Sequence, residues 1–241
     1  MSRSPILITG VGKRVGLHLA RTFLGRGQPV IGTFRSQRDS LDEIKAQGAQ
    51  LIPCDFARDG DVAALIDTVR KTAPRLRAII HNASDWLAEH SGEGAGMPAR
   101  EIFERMMRVH AGAPYEINLG LADCLRAQAP DPADIIHIGD YVSTRGSRKH
   151  IAYAASKAAQ DNLTRSFAAL LAPQVKVNSI APALILFNEG DSEDYRRKAL
   201  AKSLLAREGG LDELQHQVEY LLNSQYVTGR IIHMDGGRHL A

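Results

Sequence analysis

Seven short apolar runs punctuate this chain, and a helical pattern follows nearly every one. The runs are PILITG (5–10), PVIGTF (29–34), AQLIPCD (49–55), RAIIHNA (77–83), ADIIHIGD (133–140), VKVNSIAP (175–182) and GRIIHMDGG (229–237). Between them the periodicity predicts helices over about 14–26, 39–47, 59–72, 98–126 and 151–171, then helix-like stretches to about 223. Strands of this length alternating with helices are βαβ units, and right-handed crossovers wind them into a parallel sheet covered on both faces. The expected fold class is therefore α/β, a Rossmann-type doubly wound parallel sheet of about seven strands. No linker, repeat or low-complexity segment interrupts it, so residues 1–241 are read as a single domain. SGEGAG (91–96) reads as a loop tip.

Composition excludes several other classes. With 44% hydrophobic residues the chain can bury a substantial core. A net charge of +3 without a Lys/Arg block argues against nucleic acid as a partner. No run approaches the roughly 18 apolar residues of a membrane span. The first strand starts almost at once, which leaves no room for a signal peptide and sets the expectation of a cytoplasmic protein. Cys54 and Cys124 are isolated and read as reduced thiols.

Ligands of such sheets bind beyond the carboxyl ends of the strands, where the strand order switches. TGVGKRVG (9–16) sits there, with Gly10, Gly12 and Gly16 between the first strand and a helix. Glycines and helix N–H groups admit a pyrophosphate. The spacing is not G-x-G-x-x-G, so a plain strand-to-helix turn is the alternative. The second strand ends in TFRSQR (33–38), where an acid would hold a ribose 2′-hydroxyl. Arg35 stands there instead, 19 residues past Gly16 and with no acid nearby in sequence. Arg35, with Ser36 and Lys13, suits a 2′-phosphate and predicts NADPH rather than NADH. YAASK (153–157) sets Tyr153 and Lys157 on one helical face. An ammonium beside a phenol would lower the phenol's pKa and fit it for proton transfer.

Over essentially its whole length the chain resembles the short-chain dehydrogenase/reductase family. The carriers are TGVGKRVG (9–16), CDF (54–56), HNAS (81–84), YAASK (153–157), VKVNSIAP (175–182) and VTGRIIHMDGG (227–237). The resemblance implies a single NAD(P)-binding sheet that also carries the catalytic residues. Gly10, Lys13, Arg14 and Val15 would lie at the phosphates, Asp55 and Phe56 near the adenine, and Asn82 and Ala83 beneath the cofactor. Lys157 would touch the nicotinamide ribose, and Tyr153 would be the central acid-base residue. Homodimers or homotetramers joined through the helices after strands 4 and 5 are implied as well.

Three positions depart from the family pattern. Arg14 stands where glycine is usual, Asp140 where serine is usual, and His110 where asparagine is usual. Decay to a non-catalytic NADPH-binding sensor is one reading. A second is a carbonyl or 3-oxoacyl reductase, although the serine hydroxyl that would hold its substrate is missing. The pteridine reductase branch of the family combines Arg in the loop, Asp for the serine, and N-A-S followed by an aromatic, here NASDW (82–86).

MMRVH (106–110), IAYAASKAA (151–159), NSIAPALILFNE (178–189) and DGGRHL (235–240) extend the resemblance to its bacterial members. These reduce 7,8-dihydropterins and act weakly on dihydrofolate. The implied reaction is NADPH-dependent reduction of a dihydropterin such as dihydromonapterin, hydride going to C6 and a proton to N5. Trp86 would stack on the pterin, Ser84, Asp140 and Tyr153 would address its edge, and Arg14 would bridge cofactor phosphate and pterin. Asp140 and Tyr153 are both open as proton donor. Core packing is the other reading of Trp86. His110 is either part of a relay towards Lys157 or a helix residue with a satisfied ring. The other histidines (18, 81, 90, 137, 150, 216, 233, 239) show no metal-ligand spacing and are expected mostly at the surface or at strand ends. The stretch 183–198 reads as a lid over the substrate or a polar surface loop, with EDYRRK a solvated helical face.

Overall fold

The computed structural model describes residues 3–89 and 94–241. The chain runs β1 (Ile6–Ile8), α1 (Arg14–Gly25), β2 (Val30–Phe34), α2 (Asp39–Ala46), β3 (Gln50–Pro53), α3 (Asp61–Thr72) and β4 (Ala78–His81). It continues through α4 (Ala99–Met107), α5 (Ala113–Gly120), α6 (Ala122–Arg126), β5 (Ala133–Ile138), α7 (Ile151–Leu171), β6 (Val175–Pro182), α8 (Glu193–Leu200), α9 (Leu211–Asn223) and β7 (Ile231–Met234). The seven strands form one sheet in the order β3-β2-β1-β4-β5-β6-β7, and every pairing is parallel. The chain reverses its winding between β1 and β4, which places the switch at the end of β1. The expected fold class is borne out. Residues 91–93 of the expected SGEGAG loop tip, and His90, lie outside the described residues.

Alternation along the strands builds the two layers. Leu7, Ile79, Ile135 and Val177 enter one core, with α3, α5 and α7. Ile6, Ile8, Ile80, Ile136 and Ile180 enter the other, with α1, α2 and α9. The central strands β5 and β6 are buried along their whole length, as a sheet covered on both sides requires.

The helix expected over 98–126 is divided. A π-helical turn, Arg108–Gly112, separates α4 from α5, and Leu121 interrupts the path to α6. Pro114 gives the physical reason: it has no N–H for the carbonyl four residues back, and its ring crowds that carbonyl. The wider π turn relieves both problems. It also carries His110 to a fully buried position beside the site.

Candidate active site

The loop after β1 is pinned from below by the end of β4. The Thr9 hydroxyl accepts from the backbone N–H groups of Asn82 and Ala83, both at 2.9 Å. The Asn82 side-chain amide donates to the carbonyls of Thr9 (2.9 Å) and Gly10 (3.0 Å). Gly10 takes a left-handed φ of +75°. A Cβ on Gly16 would lie 2.2 Å from the Gly10 carbonyl oxygen and 2.5 Å from Asn82 Nδ2, so only glycine fits. No side chain caps α1, which leaves the positive end of its first turn open towards the loop. Sequence reasoning singled out Gly10, Asn82 and Ala83 but missed Thr9, whose hydroxyl organises them. It also missed Ser40, which donates to the Gly12 carbonyl at 2.8 Å, and Arg38, whose Cδ lies 3.5 Å from a Cβ built on Gly12. Both stand just beyond the Arg35–Ser36 pair that it did identify.

Lys13, Arg35 and Ser36 are exposed on the same side, and Val15 is half-buried against the second core. Arg35 has an acid after all: its Nη1 lies 3.2 Å from Asp85 Oδ2, an oxygen that also takes Arg105 at 2.6 Å. Asp85 follows β4, so only the fold brings it to the end of β2. Asp55 receives the Ala57 N–H on Oδ1, while its own N–H donates to Asp61. The Phe56 ring is buried in the first core, and its carbonyl accepts from Arg108 Nε at 3.2 Å.

α7 places Tyr153 in its first turn and Lys157 one turn later. The Tyr153 hydroxyl donates to Asp140 Oδ2 at 2.9 Å, and Asp140 Oδ1 accepts the Val142 N–H at 2.9 Å. Lys157 is 2% exposed; its Nζ donates to the Ile138 carbonyl (2.9 Å) and to Gln160 Oε1 (3.4 Å). The expected lowering of the tyrosine pKa does not occur. Burial first, then the Asp140 charge, pushes Tyr153 well above its ordinary value. Burial also raises Asp140, and it lowers Lys157 to about 8 against the pull of Asp140 and Asp161. Lys157 Nζ is 5.8 Å from the centre of the Tyr153 ring. The tyrosine is therefore held as a phenol, with a carboxyl group as its direct partner.

Ser84 and His110 complete the floor. His110 Nε2 accepts the backbone N–H of Asp85 at 3.2 Å, which fixes it as the unprotonated nitrogen. Its Nδ1–H then donates to Ser156 Oγ at 2.8 Å, and Ser156 donates to the Tyr153 carbonyl. Ser84 Oγ lies 2.8 Å from the same Nε2. Burial and Lys157 push His110 well below the usual imidazole range, which keeps it neutral. Both ring nitrogens of His110 have partners, none of them Lys157, and the ring stands edge-on to Tyr153 at 5.3 Å. Trp86 is 54% exposed and is not a core residue. Its ring packs against Tyr153 at 4.6 Å and His150 at 4.0 Å.

Arg14 does not point at this floor. It reaches across to the segment after β6, donating to Asn188 Oδ1 (2.6 Å) and the Leu186 carbonyl (2.9 Å). Its φ is +50°, a left-handed conformation that glycine adopts without cost. The segment it grips leads into α8, whose EDYRRK residues pair with one another in solvent through Asp194, Arg197 and Lys198.

Two of the histidines stand at strand ends, as expected, and are fully buried there. His81 and His137 are register partners on β4 and β5, stack at 5.0 Å, and are linked through Asn118. Burial lowers His81 to about 4 and His137 well below the usual range. They are neutral core residues. Among the described residues no cluster of three His, Cys, Asp or Glu could hold a metal ion. No helix among them is long and apolar enough to cross a membrane. Cys54 and Cys124 are free and buried.

The chain is similar to known proteins along nearly its whole length. The family pattern described as enoyl-(acyl carrier protein) reductase matches residues 10–239. A dihydromonapterin reductase of Klebsiella pneumoniae is 51% identical over 236 residues, covering 98% of this chain and 97% of its own. A dihydromonapterin reductase of Escherichia coli is 52% identical with the same coverage. Among solved structures, alternative dihydrofolate reductase 1 from Brucella canis, complexed with NADP, superposes with a TM-score of 0.83. It is 27% identical, and the match covers 100% of this chain and 95% of that one.

Proposed function

Since the chain belongs to the short-chain dehydrogenase/reductase family, we propose that its phosphate cradle and its Asp140–Tyr153 pair serve one reaction, reduction of a dihydropterin. The protein is an NADPH-dependent oxidoreductase acting on the C=N bond of a 7,8-dihydropterin, dihydromonapterin first and dihydrofolate as a further substrate. The observation that carries the assignment of its site is the Tyr153 hydroxyl on Asp140 with the exposed Trp86 ring beside it. A flat heterocycle, apolar on its faces and polar on its edge, suits that combination.

The cradle fits NADPH. Gly10 and Gly16 give close backbone approach, the open start of α1 attracts phosphate, and Lys13, Arg35 and Ser36 suit a 2′-phosphate. Asp55 and the Phe56 backbone would border the adenine, with Asn82, Ala83 and Val15 beneath the dinucleotide. When bound, the cofactor supplies the hydride. This chain's residues supply the rest. Lys157 has three N–H donors and uses two on the protein, so one is free for a ribose hydroxyl. Tyr153 and Asp140 share one hydrogen bond and titrate as a unit, and the proton for N5 comes from that pair. Ser84 orients the substrate edge, and Trp86 covers one face. Arg14 acts as a substrate residue by tying the segment after β6 over the pocket. Residues 1–241 work as one catalytic domain, in the cytoplasm, as a homodimer or homotetramer.

The test is NADPH oxidation by the purified protein with dihydromonapterin, dihydrobiopterin, dihydrofolate and a 3-oxoacyl thioester in parallel. Turnover with the pterins and none with the thioester is expected. Turnover with the thioester alone overturns the reading in favour of a carbonyl reductase.

A further inference from the structure

The segment YVSTRGSRKH (141–150) runs from Asp140 to His150, the residue stacked on Trp86. It therefore runs beside the site from the Asp140–Tyr153 pair to the Trp86 ring. Arg145, Arg148 and Lys149 on it are exposed. Arg238 joins them from the C-terminal turn, its guanidinium 4.4 Å from the centre of the Tyr141 ring and its carbonyl 3.4 Å from Arg145 Nη1. That turn is held in shape by Asp235, which accepts the Gly237 and His239 N–H groups and pairs with the His239 ring. Among the described residues none of these four cations has a carboxylate within 4.0 Å. Some surface arginines elsewhere are paired, as Arg26 is with Glu219 and Arg100 with Glu104, and others such as Arg58 and Arg75 are not paired among the described residues; what sets these four apart is that they lie together beside Asp140 and Trp86. Four cations on one short rim exceed the +3 net charge of the whole chain, so the rim is a local positive patch.

The substrate's chemistry says what such a rim is for. The side chain of a dihydropterin grows from C6, the carbon that accepts hydride. Tyr141, which carries Arg238, directly follows Asp140, so the rim adjoins the pair that would receive the reacting edge. A polyhydroxylated tail is neutral and needs no cation there. We propose that the rim formed by Arg145, Arg148, Lys149 and Arg238 binds an anionic group, carboxylate or phosphate, at the far end of the substrate's C6 side chain. The inference rests on the dihydropterin reading and names the residues that would receive an acidic tail such as that of dihydrofolate.

The experiment compares steady-state kinetics of the unaltered protein and an Arg148→Glu/Lys149→Glu double variant. The substrates are dihydromonapterin, dihydrofolate with one and with three glutamates, and a dihydropterin bearing a side-chain phosphate, each at low and high salt. Both altered positions are exposed, so the fold is kept. For the acidic tails KM should rise about tenfold at low salt, with the difference shrinking at high salt and kcat within about twofold. For dihydromonapterin neither constant should move by more than about twofold. The acidic tail with the larger KM shift identifies whether carboxylate or phosphate is the ligand. Equal KM shifts for neutral and acidic substrates, or no shift for either, overturn the rim alone. Absence of turnover with every pterin by the unaltered protein is a different result; it overturns the dihydropterin reading and the rim with it.

Discussion

Asp134 and Asp140 flank the same strand, one at the amino end of β5 and the other just past its carboxyl end. Burial pushes both carboxyls up. At Asp134 the fold pushes back with two cations: Arg77 at 2.5 Å and Lys176 at 2.6 Å, which also donate to the Leu222 and Leu221 carbonyls at the end of α9. Every charge there has a counterpart, and the cluster fastens α9 to the sheet. At Asp140 the direct partners are a phenol and one backbone N–H, with Lys157 and Arg238 acting only at a distance. The amino end of the sheet is electrostatically closed. The carboxyl end is left short of partners, and a substrate edge can supply what is missing. The same chemical group thus marks structure at one end and reactivity at the other.

The sharpest way to break that contrast is to remove each carboxylate. Asp134→Ala strands a buried lysine and arginine and should cost about 3–5 kcal/mol of stability by denaturant unfolding, while the fraction that folds keeps its kcat. An unchanged midpoint would mean that the triad is not the anchor described. Asp140→Asn should act in the opposite sense. Because its pKa is raised in the folded state, ionised Asp140 opposes folding. Its contribution to stability is full below the unfolded value near 3.8 and is lost as pH rises through the folded value. The asparagine variant should therefore melt higher than the parent at neutral pH and gain nothing below pH 4. Its kcat should fall by about 10²–10⁴, the usual worth of a general acid-base group. A variant that melts lower at neutral pH would place Asp140 with Asp134 as a structural residue.

Much of the closed end was written in the sequence, because burial on both faces forces continuous apolar strands and their number fixes the sheet. The motif residues were legible too: Gly10, Gly16, Asn82, Tyr153 and Lys157 stand at spacings that a strand-loop-helix unit imposes. What was illegible arrives through space. Asp85 meets Arg35 from a distance of 50 residues in sequence. Arg14 meets Asn188 across 174 residues, and no local pattern announces either contact. The pKa of Tyr153 was misread for the same reason. A four-residue spacing shows that Lys157 shares a face with the tyrosine, but it shows neither the depth of burial nor that the lysine is engaged by Ile138 and Gln160. His81 and His137 were legible as strand-end residues but their burial was not, because a histidine closing a buried strand and one closing an exposed strand look alike until partners such as Asn118 and Thr164 are in place.

A smaller test of the open end concerns Arg35. Its 3.2 Å contact to Asp85 uses one nitrogen, and the side chain is half exposed, so the remaining donors are free for phosphate. Arg35→Ala should raise KM for NADPH by tenfold or more, in line with the roughly 1.5–3 kcal/mol of a charge-assisted hydrogen bond, and leave KM for NADH nearly unchanged. An equal rise for both cofactors would show that Arg35 shapes the loop rather than reads the 2′-phosphate.

The smallest expected effect lies at Arg14, where the open end stores backbone strain as well as charge. A left-handed φ costs a residue with a Cβ roughly 1–2 kcal/mol, and glycine avoids most of that while losing more entropy on folding. Both Arg14→Ala and Arg14→Gly delete the contacts to Asn188 and Leu186, so the difference between them isolates the strain. The glycine variant should be more stable than the alanine variant by about 1 kcal/mol. Both should share the same raised KM for dihydropterin, because both lose the tie across the pocket. If the two variants melt together, position 14 carries no strain, and the arginine there needs no compensating function. If they differ as expected, the strain is tolerated for the sake of the tie to Asn188 and Leu186, at the same carboxyl end of the sheet as Asp140.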